Sequence, residues 1–240
     1  MAHRGGVSIV DKKENAARRA LELVRTGMAL GLGTGSTANC LVRALGGEVR
    51  EGRLSDLRCV ATSRATARLA EAEGLHVVTL EEQPMLDLTL DGADEVDPEW
   101  NLIKGGGGSL LREKIVAQAS RQLAILIDDS KMVRHLGERW SLPIEVVPFG
   151  WKTHLSHLED LGGKPRLRLR SDGEPFVTDE GNFTLDVDFS GAGAGRGLSV
   201  PETLHRDLLR RAGIVETGLF LGMASFLIVG TEDGATLDQR

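Results

Sequence analysis

The stretch MALGLGTGSTANCLVRAL, Met28 to Leu45, decides the fold. Met28 to Leu32 is an apolar run of strand length, and Ala38 to Leu45 carries apolar residues at helical spacing. Between them stands a short glycine-rich turn. A strand that passes through such a turn straight into a helix is the opening half of a βαβ unit. Gly33 and Gly35 let the backbone turn tightly and approach a ligand, while Ser36 and Thr37 add hydroxyls beside the N–H groups of a helix start. That arrangement suits a terminal phosphate. The turn lacks the Gly-Lys-Ser/Thr tail of a Walker A loop and the third glycine of a strict G-x-G-x-x-G, although Gly33, Gly35 and Ala38 fit the looser G-x-G-x-x-A form. A dinucleotide site would also place an acid about 20 residues further on. Thr62, Ser63 and Arg64 stand there instead.

Upstream, apolar residues at helical spacing predict a helix over Asn15 to Arg25, stopped by Gly27. Downstream, Arg58 to Thr62 reads as a strand, Ala65 to Glu73 as a helix and His76 to Thr79 as a third strand. Leu86 to Leu90 is a further strand ending at Asp91; a helix runs from about Ser109 to Arg121, and Leu123 to Ile127 closes that unit as a strand. Successive βαβ units argue for an α/β fold with a parallel sheet rather than a bundle. After Lys131 the pattern changes. Pro143, Pro148, Pro165, Pro175 and several glycines punctuate short β-rich runs, Ile144 to Val147, Arg166 to Arg170 and Phe183 to Val187, which predict a smaller α+β region. A helix at about Pro201 to Ala212 and an apolar run, Gly218 to Val229, return to the first sheet or cover it. GAGAGRG, Gly191 to Gly197, reads as a loop.

The chain has 240 residues, 41% of them hydrophobic, and a formal charge of -6. No broad basic face is available, so nucleic acid is not an expected partner, and an anionic ligand must be held by local Lys, Arg or backbone N–H groups. Two cysteines, Cys40 and Cys59, are too few for a disulfide framework and read as small buried side chains in a reducing compartment. MAHRGGVSIVDKK at the N-terminus lacks an apolar leader core, and no apolar run approaches the ~20 residues that span a bilayer. The expectation is a cytoplasmic protein with no membrane partner. His154 and His157 lie three apart, but no Cys or carboxylate completes a zinc set, and no G-x-S-x-G elbow is present. All six histidines read as surface residues.

Two further motifs end apolar runs. DGADEVD, Asp91 to Asp97, puts Asp91 and Asp94 three apart across Gly92 and Ala93, a spacing that in a tight turn directs both carboxylates to one side of a strand end. Such acceptors match sugar hydroxyls. The calcium EF-hand pattern is absent; magnesium held through a phosphate stays compatible but is not required. Glu95 and Asp97 read as solvated acids. KGGGGSLLREK, Lys104 to Lys114, sets a cation before four glycines whose entropic cost implies a close backbone approach. Glu113 falls on the stripe shared with Leu110 and Ala117 and is therefore aimed inward. Lys104 and the helix start favour a charged carboxylate there and burial opposes it, a balance that suits a general base. In a parallel sheet, strand ends converge on one crevice, so these three segments are expected to build one site for a small phosphorylated polyol.

With these motifs on the page, the chain resembles the ribose-5-phosphate isomerase A family. GTGSTA, DGADEVD, KGGGGSLLREKIVA, Asp129 to Lys131, LPIEVVPF at Leu142 to Phe149, VTDEGNFTLDV at Val177 to Val187 and GIVETGLF at Gly213 to Phe220 carry the likeness in order. The resemblance implies interconversion of D-ribose 5-phosphate and D-ribulose 5-phosphate in the pentose phosphate pathway, with no metal and no organic cofactor. It implies a Rossmann-like main domain, residues 1–132 and 208–240, a small inserted α+β domain, residues 133–207, and a homodimer or homotetramer. Glu113 then corresponds to the proton acceptor. Thr34, Gly35, Ser36 and Thr37 match a phosphosugar-binding loop, with Lys13 near the phosphate. Asp91, Gly92, Ala93 and Asp94 match one substrate-binding segment, Lys104, Gly105, Gly106 and Gly107 another, and Lys131 a further substrate contact. On this reading Lys104 stabilises an enediolate, while Asp91 and Asp94 orient hydroxyls and assist ring opening. The rivals are a non-catalytic sugar-phosphate-sensing domain, which would ordinarily be joined to a basic DNA-binding module, and a dehydrogenase.

Overall fold

The structure, a computed structural model, describes residues 9–193 and 197–240. The loop expected at Gly191 to Gly197 therefore lies partly outside the described residues, as does the N-terminal stretch before residue 9. The chain divides into two compact units.

The first unit takes the chain up to Gly92, then Val116–Ser130 and Ala224–Arg240. Its six-stranded sheet runs in the order Gly234–Gln239, Phe226–Thr231, Leu123–Asp128, Leu88–Asp91, Ala29–Leu32, Arg58–Ala61. All neighbours are parallel except the terminal hairpin. The three central strands are buried along their whole length, so Ala29–Leu32 and Leu123–Asp128 read as near-continuous apolar runs, while Leu88–Asp91 buries Thr89 and Asp91 between and after its leucines. Helices Ile9–Ala20, Ser36–Arg50 and Arg64–Ala72 bring Ala16, Ala20, Leu41, Leu45 and Ala70 into one core with Leu30, Leu32, Leu90, Leu126 and Ile228. The α/β fold with its mainly parallel sheet is the one the strand–turn–helix pattern implies.

Local differences have identifiable causes. The first helix starts at Ile9 and ends at Ala20; a 3-10 turn, Leu21–Leu23, follows, and Val24 is already extended, with ψ 141°. The run His76 to Thr79 makes only a bridge, Val77 to Cys59. Beyond it the chain turns away, and the Glu82 carboxylate accepts the Thr79 N–H at 2.9 Å. The apolar run from Gly218 is split: Leu219–Phe220 belongs to the second unit and Phe226–Thr231 to the large sheet. The last strand, Gly234–Gln239, has no fully buried residue, and only Ala235 and Leu237 pack on the core, too short an alternation to announce it.

The second unit comprises Ala93–Ile115 and Lys131–Met223. Four antiparallel strands run in the order Ile214–Thr217, Leu142–Val146, Phe183–Asp188, Lys164–Leu167, and a small sheet orders Leu219–Phe220, Leu102–Ile103, Glu95–Val96. Helices Thr153–Asp160 and Pro201–Leu209 contribute Leu158, Leu204 and Leu208 to a core built on Ile103, Leu142, Ile144, Val146, Leu185 and Val187. No described helix is long and apolar enough to cross a membrane.

Gly31 is where the large sheet tolerates no side chain: a Cβ there would fall on the Thr89 hydroxyl and within 2.6 Å of Val116. Gly31→Ala is expected to destabilise the protein by about 1–3 kcal/mol, the usual range for overpacking. A melting temperature equal to that of the unaltered protein would show that the sheet relaxes around the methyl group.

Candidate functional site

The chemistry-bearing residues fall into two groups, one in each unit. The first grows from two adjacent strand ends. Leu32 pairs with Leu90, so the turn after one strand meets Asp91 at the end of the other. The Gly33 N–H donates to the Leu90 carbonyl at 2.9 Å, and one oxygen of the buried Asp91 carboxylate accepts the N–H groups of Thr34 at 3.1 Å and Gly92 at 2.7 Å. Thr34 Oγ1 lies 2.7 Å from the Thr62 hydroxyl, 2.9 Å from Ser63 Oγ and 3.1 Å from the Thr66 hydroxyl. A knot of four hydroxyls thus braces the turn.

Beyond Thr34, the Gly35 backbone sits at φ 123°, and the helix Ser36–Arg50 starts with no side-chain cap. The next helix, by contrast, is capped by Ser63, whose hydroxyl accepts the Thr66 N–H at 3.0 Å. An uncapped start leaves first-turn N–H groups for an anion. Lys13 Nζ donates to the exposed Ser36 hydroxyl at 2.8 Å, adding a cation at the same helix end. Thr37, by contrast, is buried, so its side chain is less available than Ser36.

The second group sits on the small three-stranded sheet. Lys104 follows strand Leu102–Ile103, and its N–H donates to the Gly218 carbonyl at 2.9 Å. Its ammonium lies 3.4 Å from a Glu113 carboxylate oxygen, with both side chains only 3% exposed. Glu113 is turned inward by the helix Leu110–Gln118, as its shared stripe with the buried Leu110 and Ala117 requires. The Phe220 ring lies under both Lys104, 5.3 Å from the ammonium, and Lys114, 4.8 Å from it. Lys114 is itself buried and donates to Glu216 at 2.9 Å and to the carbonyls of Thr217 at 2.8 Å and Leu219 at 2.7 Å. Burial pushes the Lys114 ammonium below the usual lysine range, and the Glu216 carboxylate opposes the shift.

Asp94 accepts the Gly106 N–H at 2.7 Å. Its neighbour Glu95, read from the sequence as a solvated acid, is buried; it accepts the N–H groups of Gly137 at 2.6 Å and Trp140 at 2.7 Å, and that of Arg139. Three backbone donors replace the water it loses. Trp140, so anchored, packs close to Gly106 and carries the Lys131 ammonium 5.1 Å above its ring. Lys104, Glu113, Asp94, the Gly105 to Gly107 turn and Lys131 are therefore linked through the second unit. Lys13, Thr34 to Thr37, Asp91 and Gly92 are linked through the first. The chain passes from one group to the other between Gly92 and Ala93.

Other expectations are corrected. His154 is buried, its Nδ1 accepting from Arg211 at 3.1 Å, and burial and the guanidinium hold it below the usual histidine range. Cys40 is half-buried, whereas Cys59 is fully buried and its thiol is pushed up to about 12 by burial. Among the described residues no three His, Cys, Asp or Glu side chains cluster as a metal would require. Sequence reasoning missed Thr62, Ser63 and Thr66 as braces, although the hydroxyls standing where an acid was sought were a visible signal. It also missed Glu95 and Trp140, which no local pattern marks.

Comparison with known proteins adds four findings. The family model described as ribose 5-phosphate isomerase A (phosphoriboisomerase A) matches residues 58–234. A ribose-5-phosphate isomerase A of Chloroflexus aurantiacus is 50% identical over 223 residues, 93% of this chain and 91% of that one. Among solved structures, a D-ribose-5-phosphate isomerase in complex with phospho-erythronic acid superposes with a TM-score of 0.91 at 33% identity, covering 98% of this chain and all of that one. A ribose 5-phosphate isomerase A from Methanocaldococcus jannaschii gives 0.88 at 35% identity, covering 97% and 100%.

Lys114→Met removes the ammonium partner of the half-buried Glu216 carboxylate and leaves two buried carbonyls without their donor. A loss of about 3 kcal/mol in denaturant unfolding is expected, the scale for breaking a buried ion pair from one side. A change below about 0.5 kcal/mol, the range of ordinary surface substitutions, would show that Lys114 does not tether Glu216 and Leu219.

Proposed function

The chain belongs to the ribose 5-phosphate isomerase A family, and from that premise we propose that it interconverts D-ribose 5-phosphate and D-ribulose 5-phosphate through an enediolate. The observation that carries the reading is the buried pair of Lys104 and Glu113 at 3.4 Å. Moving a carbonyl between C1 and C2 requires a base to take the weakly acidic proton from C2, positive charge beside the oxygen that becomes anionic, and return of the proton to C1. One carboxylate serves both transfers, because the two carbons are neighbours on one face of a planar intermediate. Glu113 carries the proton. Lys104 stabilises the oxyanion, and in a water-excluded setting that interaction is stronger than in bulk solvent.

The remaining roles follow from chemistry. The uncapped start of helix Ser36–Arg50, with Ser36 and Lys13 beside it, supports phosphate recognition by the Thr34 to Thr37 turn. Asp91 and Asp94 accept hydrogen bonds from the sugar hydroxyls, orient them and assist opening of the furanose ring; Lys131 and the Gly105 to Gly107 backbone contact the open sugar. No metal or organic cofactor is needed, since Lys104 supplies the charge that a divalent ion would otherwise provide. A cytoplasmic homodimer or homotetramer is the form proposed for it. The chain-wide family match gives no support to a sensing domain without turnover.

The direct experiment is to mix the purified protein with ribose 5-phosphate and follow ketose formation after dialysis against EDTA, with no nicotinamide added. Full activity is expected, whereas Glu113→Gln should lower kcat by at least ~10²-fold with phosphosugar binding retained. Activity that vanished with EDTA and returned with magnesium would make Asp91 and Asp94 metal ligands; near-normal turnover by the glutamine variant would remove Glu113 from the mechanism. Ser36→Ala should raise KM by roughly tenfold and leave kcat nearly unchanged, because a non-reacting phosphate is bound equally in ground and transition states. A fall in kcat alone would mean that the turn touches the reacting end.

A further inference from the structure

Arg168 follows strand Lys164–Leu167 and reaches the glycine turn. Its Nη1 donates to the Gly105 carbonyl at 2.9 Å and to the Gly106 carbonyl at 3.2 Å. The other edge of the guanidinium is held by both oxygens of Asp186 on the neighbouring strand, Nε to Oδ2 at 2.9 Å and Nη2 to Oδ1. Phe176 lies against the guanidinium, 5.8 Å from ring centre to carbon, and packs so close to Gly108 that a Cβ there would strike its ring. Gly108 closes the turn by donating to the Gly105 carbonyl at 3.0 Å, with Gly105 at φ 103° and Gly108 at φ 81°.

The planarity of the peptide bond turns these contacts into a statement about direction. In a trans peptide the C=O and N–H of one unit point opposite ways. In the unit joining Gly105 to Gly106, the carbonyl faces Arg168 and the N–H faces Asp94, as observed. In the unit joining Gly106 to Gly107, the carbonyl also faces Arg168. The Gly107 N–H therefore points away from Arg168, and Gly107 is exposed. Four glycines in a row have no side chains to hold such an orientation, so a guanidinium fixed by a bidentate carboxylate has to supply it.

We propose that Arg168, oriented by Asp186, is a positioning residue that turns the Gly106–Gly107 peptide so that the Gly107 N–H is presented, away from Arg168, as a donor to a developing oxyanion. The proposal rests on the isomerase reading. It assigns a function in catalysis to a strand of the small antiparallel sheet that none of the glycine or acid motifs includes.

The test is a steady-state comparison of Arg168→Met, Arg168→Lys, Asp186→Asn and Glu113→Gln with ribose 5-phosphate, together with amide exchange at Gly108. Arg168→Met should lower kcat by ~10–100-fold, the scale of a misaligned catalytic group, with KM changed by less than about threefold. Arg168→Lys, retaining one donor, should recover part of kcat, Asp186→Asn should fall in the same direction by less, and Gly108 should exchange faster in all three. Normal kcat in Arg168→Met beside an inactive Glu113→Gln would overturn the positioning role alone. Full activity in both would overturn the proton-transfer reading as well. If Arg168→Met does not fold, Asp186→Asn decides: faster Gly108 exchange with kcat unchanged would contradict the proposal.

Discussion

The interaction on which the rest depends is the pairing of Lys104 with Glu113, each almost fully removed from water. Burying one charge alone is prohibitively costly; burying two is tolerable only when geometry and further contacts compensate. Most of the surroundings of this pair read as compensation. Lys104 is fixed through its backbone to Gly218 and through its ammonium to the Phe220 ring, and Glu113 rides on a helix whose Leu110 face is packed. Lys114, one residue on, ties that helix to the strand pair carrying Phe220. The short GIVETGLF segment thus holds Lys104 directly, through Gly218 and Phe220, and the helix of Glu113 through Lys114.

A second constraint is the treatment of backbone as a functional group. In the first unit a strand end is opened by Gly35, braced by four hydroxyls and left uncapped, whereas the next helix start is closed by Ser63. In the second unit the peptide groups of the four-glycine turn are held from outside by Asp94 and Arg168, with Trp140 and Phe176 packed against it. Glycine removes the side chain that would block a ligand and also the one that would fix the loop. Rigid neighbours restore the lost order.

Much of this was legible in the chain itself. Met28 to Leu45 implied the strand, turn and helix because burial on both faces of a parallel sheet writes a continuous apolar run. Glu113 could be aimed inward from its spacing to Leu110 and Ala117, and Lys104 could be marked as a site cation from its place before the glycines. Glu95 could not be read, because nothing in D-G-A-D-E distinguishes an acid that accepts three backbone donors from one that faces water. Those donors come from Gly137 to Trp140, more than forty residues away. Arg168 was invisible for the same reason: it is one of three alternating arginines, Arg166, Arg168 and Arg170, in and just after an edge strand, and only the fold says which of them reaches the glycine turn. The Gly234–Gln239 strand was missed because only two apolar side chains, Ala235 and Leu237, mark the face it packs on the core.

The central claim is that a carboxylate moves a carbon-bound proton, and isomerisation in deuterium oxide tests it most directly. A carboxylic acid formed at Glu113 exchanges its proton with solvent during the life of the enediolate, so the account predicts deuterium bound to carbon at C1 of ribulose 5-phosphate and C2 of recovered ribose 5-phosphate, read by proton NMR. Complete turnover to equilibrium with no carbon-bound deuterium in either sugar would point to a direct hydride shift and contradict it.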